Sequence, residues 1–418
     1  MKKIFITALI GILSLSVSNA QTSNEKLKIF NGKVITPYSI IDNACVLVEN
    51  GKIIDVRAGN VDFSGAKEID AKGKYISPGF IDTHCHGGGG HDFMDGTPQA
   101  MIKAAELHAK HGTTLIYPTS ASCSDKTLFE MFDNYRKADK MNTTGAAFGG
   151  IHIEGGYLNK KMSGGQDPRY VIDPQPEHYN KILEKGGDII ARWSMAPELP
   201  GALDLARELR KRNIQTSMAH TAALYDEAVD AFDAGFSSIT HFYSLTSTVT
   251  RKDALRYAGV IEAGYNLDNL YVEAIADGVH LPSPLLKLIY KVKGADRVVL
   301  VTDAMRGAGM PDGKSILGSL EDGVPVIIED GVAKLPDRSS FAGSVATTDR
   351  LVRTYMTKGG ANLLDAVQML TLSPAKLMKI DDAKGSIAKG KDADIIIFDE
   401  NINVQATIVG GRIIYEAR

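Results

Sequence analysis

Between residues 78 and 382 short apolar segments alternate with amphipathic ones, and no other feature restricts the fold as much. Thr114-Leu115-Ile116-Tyr117 follows a segment of helical period from Gln99 to Lys110, and Arg297-Val298-Val299-Leu300-Val301 follows another from Pro284 to Lys293. Strand and helix alternating over about three hundred residues call for parallel strands joined by crossover helices. The expectation is an α/β protein with a (β/α)8, TIM-like barrel, whose chemistry lies at the C-terminal ends of its strands. The two ends read differently. Ala44-Cys45-Val46-Leu47-Val48 and Lys52-Ile53-Ile54-Asp55-Val56 flank the turn Glu49-Asn50-Gly51, and Val404 to Val409 and Arg412-Ile413-Ile414-Tyr415 flank Gly410-Gly411. Residues 21–77 and 383–418 are therefore expected to form one small β-sandwich domain beside a catalytic barrel of residues 78–382.

The first twenty residues have a separate logic. Lys2 and Lys3 precede the apolar run Ile4 to Leu13, and the small residues Ser18 and Ala20 precede Gln21. That order is a secretory signal peptide over 1–20, its apolar part too short for a membrane span. It predicts an exported protein, periplasmic or secreted, with no stable membrane insertion after cleavage. A net charge of -3 over 418 residues leaves no basic footprint for nucleic acid. Cys45, Cys85 and Cys123 are too few and too scattered for a disulfide framework.

The chemistry is concentrated at strand ends. Pro78-Gly79-Phe80-Ile81-Asp82-Thr83-His84-Cys85-His86 is an apolar run closing on two histidines two positions apart. On a strand such residues share a face, so both imidazoles can reach one metal ion. Glu154 follows Phe148 to Ile153, His220 follows Ile214 to Ala219, His241 follows Ser237 to Thr240, and Asp303 follows Val298 to Thr302. Singly, a His or carboxylate after a strand commonly caps the next helix. Six of them on successive strand–helix units point to a metal centre. His280, in Ala276-Asp277-Gly278-Val279-His280, reads as another strand end, better placed for substrate than for metal.

These residues stand in recognisable motifs: Pro78 to His86, Gly150-Ile151-His152-Ile153-Glu154-Gly155, Ala196-Pro197-Glu198, His220-Thr221-Ala222-Ala223, Thr240-His241-Phe242-Tyr243, Ala276 to His280, Val301-Thr302-Asp303-Ala304-Met305 and Ala342-Gly343-Ser344. Through them the chain resembles the amidohydrolase superfamily, and within it the N-acetylglucosamine-6-phosphate deacetylase family, over nearly all of the sequence after residue 20. The resemblance implies that Glu154, His220 and His241 hold one divalent metal. It also implies that His84, His86 and Asp303 hold a second, with Glu154 bridging. One or two ions per chain are expected, and imidazole with carboxylate suits zinc or iron. Asp303 is implied as the catalytic proton carrier, and an N-acetyl amino sugar as the small-molecule substrate, hydrolysed to acetate and the free amino sugar. The sugar is implied to lie against His280, Gly165, Gln166, Ser244, Leu245, Phe341, Ala342 and Gly343, with Arg251 or Lys252 at the phosphate. A homodimer is the expected assembly.

The chain departs from the family pattern in places. After His241 it reads Ser244-Leu245-Thr246 where the family has Asn-Ala-Met, Glu-Gly-Pro has become Glu154-Gly155-Gly156, and the Arg-Glu-Pro-Gly signature near Arg251 is missing. With export, these departures predict a weakened preference for the 6-phosphate. Two other readings are open: an amidohydrolase acting on another N-acylated amine or cyclic amide, and a sugar-binding barrel without turnover. Many enzymes of the first kind carry a carboxylated Lys where this chain has Glu154. The second would be favoured by a missing ligand, and none is missing.

Overall fold

The computed structural model describes residues 25–321 and 323–417, so the segment over 1–20 that reads as a signal peptide lies outside the described residues. Eight short parallel strands, Phe80–Cys85, Thr113–Ser120, Ile151–Glu154, Ile190–Met195, Gln215–Met218, Phe236–Ile239, Tyr271–Ala274 and Val298–Leu300, form the barrel wall. Each pairs with the next in parallel. A bridge between Cys85 and Ala304, just past the eighth strand, joins the last to the first.

The helices form because their apolar residues recur on one face, and the first two are also capped. Thr97 accepts from Ala100 N at the start of Pro98–Lys110, and Ser124 from Thr127 N at the start of Asp125–Met141. Ala202–Lys211 buries Ala202, Leu205, Ala206 and Leu209 against the barrel. Truncating either leucine to Ala would cost about 2–5 kcal/mol. The helix read from Pro284 to Lys293 runs over Ser283–Arg297, interrupted at Gly294 (φ 63°). The segment before Glu154 is two short strands, Ala147–Phe148 and Ile151–Glu154, divided at Gly150, whose φ of 109° breaks the extended run.

The barrel interior is unusually polar. Arg192, Glu273, His152, Ser194, Ser217, Ser238, Thr240 and Asp82 are all fully buried. Hydroxyl contacts join Ser194 to Thr240 (2.8 Å), Thr240 to Ser217 (2.7 Å) and Ser238 to Ser217 (2.9 Å), which is how buried polar groups avoid a desolvation penalty.

Strands from the two ends of the chain share one eight-stranded sheet. Ile395–Phe398 pairs antiparallel with Tyr75–Pro78, and Ile29, Val46, Ile53, Ile76, Ile395 and Ile408 lie in a core distinct from that around the barrel. The sheet folds back on itself, for Lys52 bridges Asp392 and Ile53 N donates to Lys391 O at 2.9 Å. Gly79 carries the chain from this sheet into the first barrel strand. A Cβ there would lie 2.1 Å from Thr114 Oγ1, so only glycine permits the close passage.

The sequence reading did not foresee a four-stranded antiparallel sheet, Gly313–Leu317, Val324–Glu329, Val332–Lys334 and Phe341–Ser344, inserted after the eighth barrel strand. It reaches over the C-terminal mouth of the barrel. Among the described residues no helix is long and apolar enough to cross a membrane.

Candidate metal centre

All six strand-end residues meet at the C-terminal mouth. His84 and His86 lie on and just past the first strand, and Glu154 ends the third. His220, His241 and Asp303 stand two or three residues beyond the fifth, sixth and eighth strands, at φ of 45°, 29° and 47°. Such backbone costs a non-glycine residue about 1–3 kcal/mol and persists only where neighbours hold it. Asn159 N donates to His220 O (3.0 Å), Phe242 N to Glu273 O (2.8 Å), and Asp303 N to His84 O (2.8 Å) while Ser344 N donates to Asp303 O (2.7 Å).

Glu154 is the hinge of the site. Its Oε2 lies 3.4 Å from His84 Nε2 and 3.2 Å from His86 Nε2, and both nitrogens also approach Asp303 Oδ1, at 3.3 and 3.2 Å. Its Oε1 lies 3.1 Å from His241 Nε2 and 3.6 Å from His220 Nε2, and those nitrogens are 3.2 Å apart. Two donor sets thus converge, His84/His86/Asp303 and Glu154/His220/His241. A four-coordinate ion with bonds of about 2.0–2.2 Å places its donors about 3.4 Å from one another, the spacing seen in both sets.

The far sides of the rings decide the chemistry. His220 Nδ1 faces Met162 O at 2.7 Å, His241 Nδ1 faces Ser244 O at 3.0 Å, and His84 Nδ1 faces Glu273 Oε2 at 3.4 Å. An acceptor at Nδ1 assigns the ring proton there and turns the Nε2 lone pair inward. Lone pairs and carboxylates then face each other, and either protons or a cation must lie between them. Burial alone would raise the Glu154 carboxyl, but His84, His220 and His241 outweigh it and hold it well below the usual carboxylate range. Burial is likewise overcome at Asp303, lowered by His84 and His86. Burial opposes charge on His86, yet Asp303 and Glu154 push it up to about 9. The residues fit a divalent ion in each set. A third group, Asp82, Cys85 and His108, is engaged elsewhere: Asp82 accepts from Thr302 Oγ1 at 2.5 Å, and His108 Nε2 lies 2.9 Å from Gly87 O.

A cavity of about 460 Å³ opens above the centre. His86, Glu154, His220, His241 and Asp303 line it, with Gly165, Gln166, Ser244, Leu245, His280, Phe341, Ala342 and Gly343, while His84 is buried behind them. His280 belongs to a loop six residues past the strand Tyr271–Ala274, not to a strand end. Its Nδ1 faces Asp277 Oδ2 at 2.7 Å and its ring lies 4.4 Å from that of Phe341. Gln166 does more than line the cavity, for its Nε2 donates to Glu154 Oε2 at 2.9 Å. Arg251 and Lys252 are exposed on the hairpin Thr250–Lys252/Leu255–Tyr257 and do not line the cavity of their own chain. The cations that do are Lys334 and Arg338 of the inserted sheet, which sequence reading missed. So were Arg192 and Glu273, whose signal was a charge set inside an otherwise uncharged buried strand.

A profile of the amidohydrolase family matches residues 75–414, and the chain belongs to that family. Within it, the chain is 31% identical over 372 residues to the N-acetylglucosamine-6-phosphate deacetylase of Lysinibacillus sphaericus, covering 88% of this chain and 92% of that one. It is 29% identical over 381 residues to the N-acetylgalactosamine-6-phosphate deacetylase of Escherichia coli O157:H7, covering 91% and 97%. The crystal structure of N-acetylglucosamine-6-phosphate deacetylase from Pasteurella multocida superposes with a TM-score of 0.86 at 26% identity, over 94% of this chain and 100% of that one. A mutant of the Mycobacterium smegmatis enzyme in complex with N-acetyl-D-glucosamine-6-phosphate gives 0.85 at 26%, over 93% and 99%.

Proposed function

We propose that the chain is a metal-dependent deacetylase that hydrolyses the acetamido group of an N-acetyl amino sugar 6-phosphate to acetate and the free amino sugar. The observation that carries this reading is the convergence of six donors at the floor of a cavity of about 460 Å³, with Asp303 at the junction of floor and cavity. Glu154, His220 and His241 would hold one ion; His84, His86 and Asp303, with Glu154 shared, would hold a second. Zinc or ferrous iron suits these donors. A divalent ion so held acidifies water to a pKa of about 7 and polarises an amide carbonyl.

The chain's own residues supply the rest. Asp303, ionised at neutral pH, takes the proton of the attacking water and returns it to the amide nitrogen as the C–N bond breaks. Its backbone, held between His84 O and Ser344 N, keeps the carboxylate from turning away. His280, anchored on Asp277 and packed on Phe341, orients the sugar. Gln166 fixes Glu154, so the bridging carboxylate keeps one oxygen for each donor set.

The relatives named above for 6-phosphates of two different sugars support a phosphorylated substrate and leave the epimer open. Lys334 and Arg338 lie at the cavity wall, where a phosphate could gain charge-assisted hydrogen bonds. Both now pair with Glu329, at 3.4 and 3.2 Å, and Lys334 also with Asp330 at 2.6 Å, so a phosphate would compete with those carboxylates. We infer a homodimer, which the exposed Val249, Leu255 and Tyr257 of the hairpin beside Arg251 and Lys252 support as an apolar patch open to a second copy. Export is inferred from the order of charge, apolar run and small residues over 1–20, and N-terminal sequencing from the native host, expected to begin at Gln21, checks it.

Acetate release from phosphorylated and plain N-acetyl sugars tests the reading. Replacing Lys334 or Arg338 by Ala should lower kcat/KM for the phosphorylated sugar about tenfold or more each, and leave the plain sugar nearly unaffected. Equal kcat/KM for the two sugars in the parent protein would remove phosphate from the proposal.

A further inference from the structure

The barrel interior holds a charge pair that does not line the cavity. Arg192 on the fourth strand and Glu273 on the seventh are both fully buried, and Arg192 Nη1 pairs with Glu273 Oε1. The remaining guanidinium contacts are Thr83 O at 3.3 Å, Thr83 Oγ1 at 3.4 Å, Thr240 Oγ1 at 3.4 Å and Ser238 Oγ at 3.5 Å. The other carboxylate oxygen, Oε2, points at the metal centre: it lies 3.4 Å from His84 Nδ1 and 3.3 Å from His241 N.

A buried ion pair is a poor device for holding a barrel together. Desolvation offsets most of its attraction, and an apolar pair of like volume is often as stable. Its position under His84 is what needs explaining. His84 is fully buried, and Glu273 is the acceptor that sets its ring; among the described residues His86 Nδ1 has no hydrogen-bond partner. His220 and His241 are oriented independently, by Met162 O and Ser244 O. Glu273 touches His241 only at its backbone N–H.

We propose that Glu273, held by Arg192, is a positioning residue that keeps the His84 proton on Nδ1 and its Nε2 lone pair on the ion, and so sets occupancy of the His84/His86/Asp303 site selectively. The imidazoles of the Glu154/His220/His241 site are set by other acceptors, so that site depends on it far less. The inference rests on the two-ion reading above. Acceptors behind metal-bound histidines are commonly worth about 10–100-fold in metal affinity.

The test is metal content and chelator competition on the full chain, comparing the parent with Glu273→Gln and with the double substitution Arg192→Met/Glu273→Leu. The double variant leaves no unpaired charge in the barrel, and a cooperative melt of its metal-free form shows that it folds. The expected result is two ions in the parent, and in the folded double variant one ion at parental affinity with the second weakened about 10–100-fold. Glu273→Gln, which keeps an acceptor but no charge, should weaken the second ion less. Two ions at parental affinity in the folded double variant would overturn the inference and leave the two-ion reading standing. A double variant that fails to fold, with Glu273→Gln keeping both ions at parental affinity, assigns the pair a structural role and overturns it too. A parent that binds a single ion in excess metal brings down both.

Discussion

Three of the six donors, His220, His241 and Asp303, stand at positive φ, a conformation their side chains do not favour. That cost turns each group back over the barrel mouth instead of letting it start the next helix. The donors themselves were legible in the sequence, because a polar residue closing an apolar run stands out wherever runs end at a common face. Their backbone conformation was not, since it is imposed by contacts from distant segments such as Ser344 and Glu273. If Asp303 carries the proton, Asp303→Asn should lower kcat about 10²–10⁴-fold while the Glu154 ion stays, measured as acetate release and metal content on one sample. A near-parental rate would move the proton to another group. Titration of the centre gives a second expectation. Without metal His86 holds its proton up to about pH 9, so an ion must displace it. Affinity of the His84/His86/Asp303 site should therefore rise with pH up to at least about 9, burial being overcome at His84 too, which Glu154 and Asp303 hold above its ordinary value, with protons released on binding. Chelator competition across that range checks it; a flat profile from pH 6 to 9 would contradict it.

At the scale of elements, the strands and the longer helices were legible and the connections were not. Period and the Thr97 cap fix Pro98–Lys110 locally, and period alone fixes Ala202–Lys211, whereas the inserted sheet over residues 313–344 depends on pairing between strands that are short and partly exposed. Lys334 and Arg338 were missed with it, because a Lys and an Arg on a polar segment look like any solvated face until the segment is seen over a cavity. The loop after Glu154 is tightly shaped. Gly155 has φ of 131°, and a Cβ on it would come within 2.6 Å of Ser122 N. Gly155→Ala should cost about 1–3 kcal/mol of stability and displace the bridging carboxylate, lowering retention of both ions. A melting temperature and metal content unchanged from the parent would show that the loop tolerates a side chain.

On the scale of the whole molecule, alternation of strand and helix was enough to foresee the barrel, and its C-terminal mouth was enough to foresee where six scattered residues would meet. The shared sheet of the two termini is continuous with the barrel through Gly79, so the strand carrying His84 and His86 is braced by residues from the far end of the chain, Asp394 O accepting from Gly79 N at 2.9 Å. Such a brace is invisible to local pattern, because it depends on two segments more than three hundred residues apart finding one register. The most direct measurement is acetate release from N-acetylglucosamine 6-phosphate by the full chain, stripped of metal by chelator and then reconstituted with zinc or ferrous iron. The account predicts no release from the stripped protein, and release with one amine freed per acetate on reconstitution. Metal-replete protein that frees no acetate from this sugar, its galactose epimer or their unphosphorylated forms would contradict it.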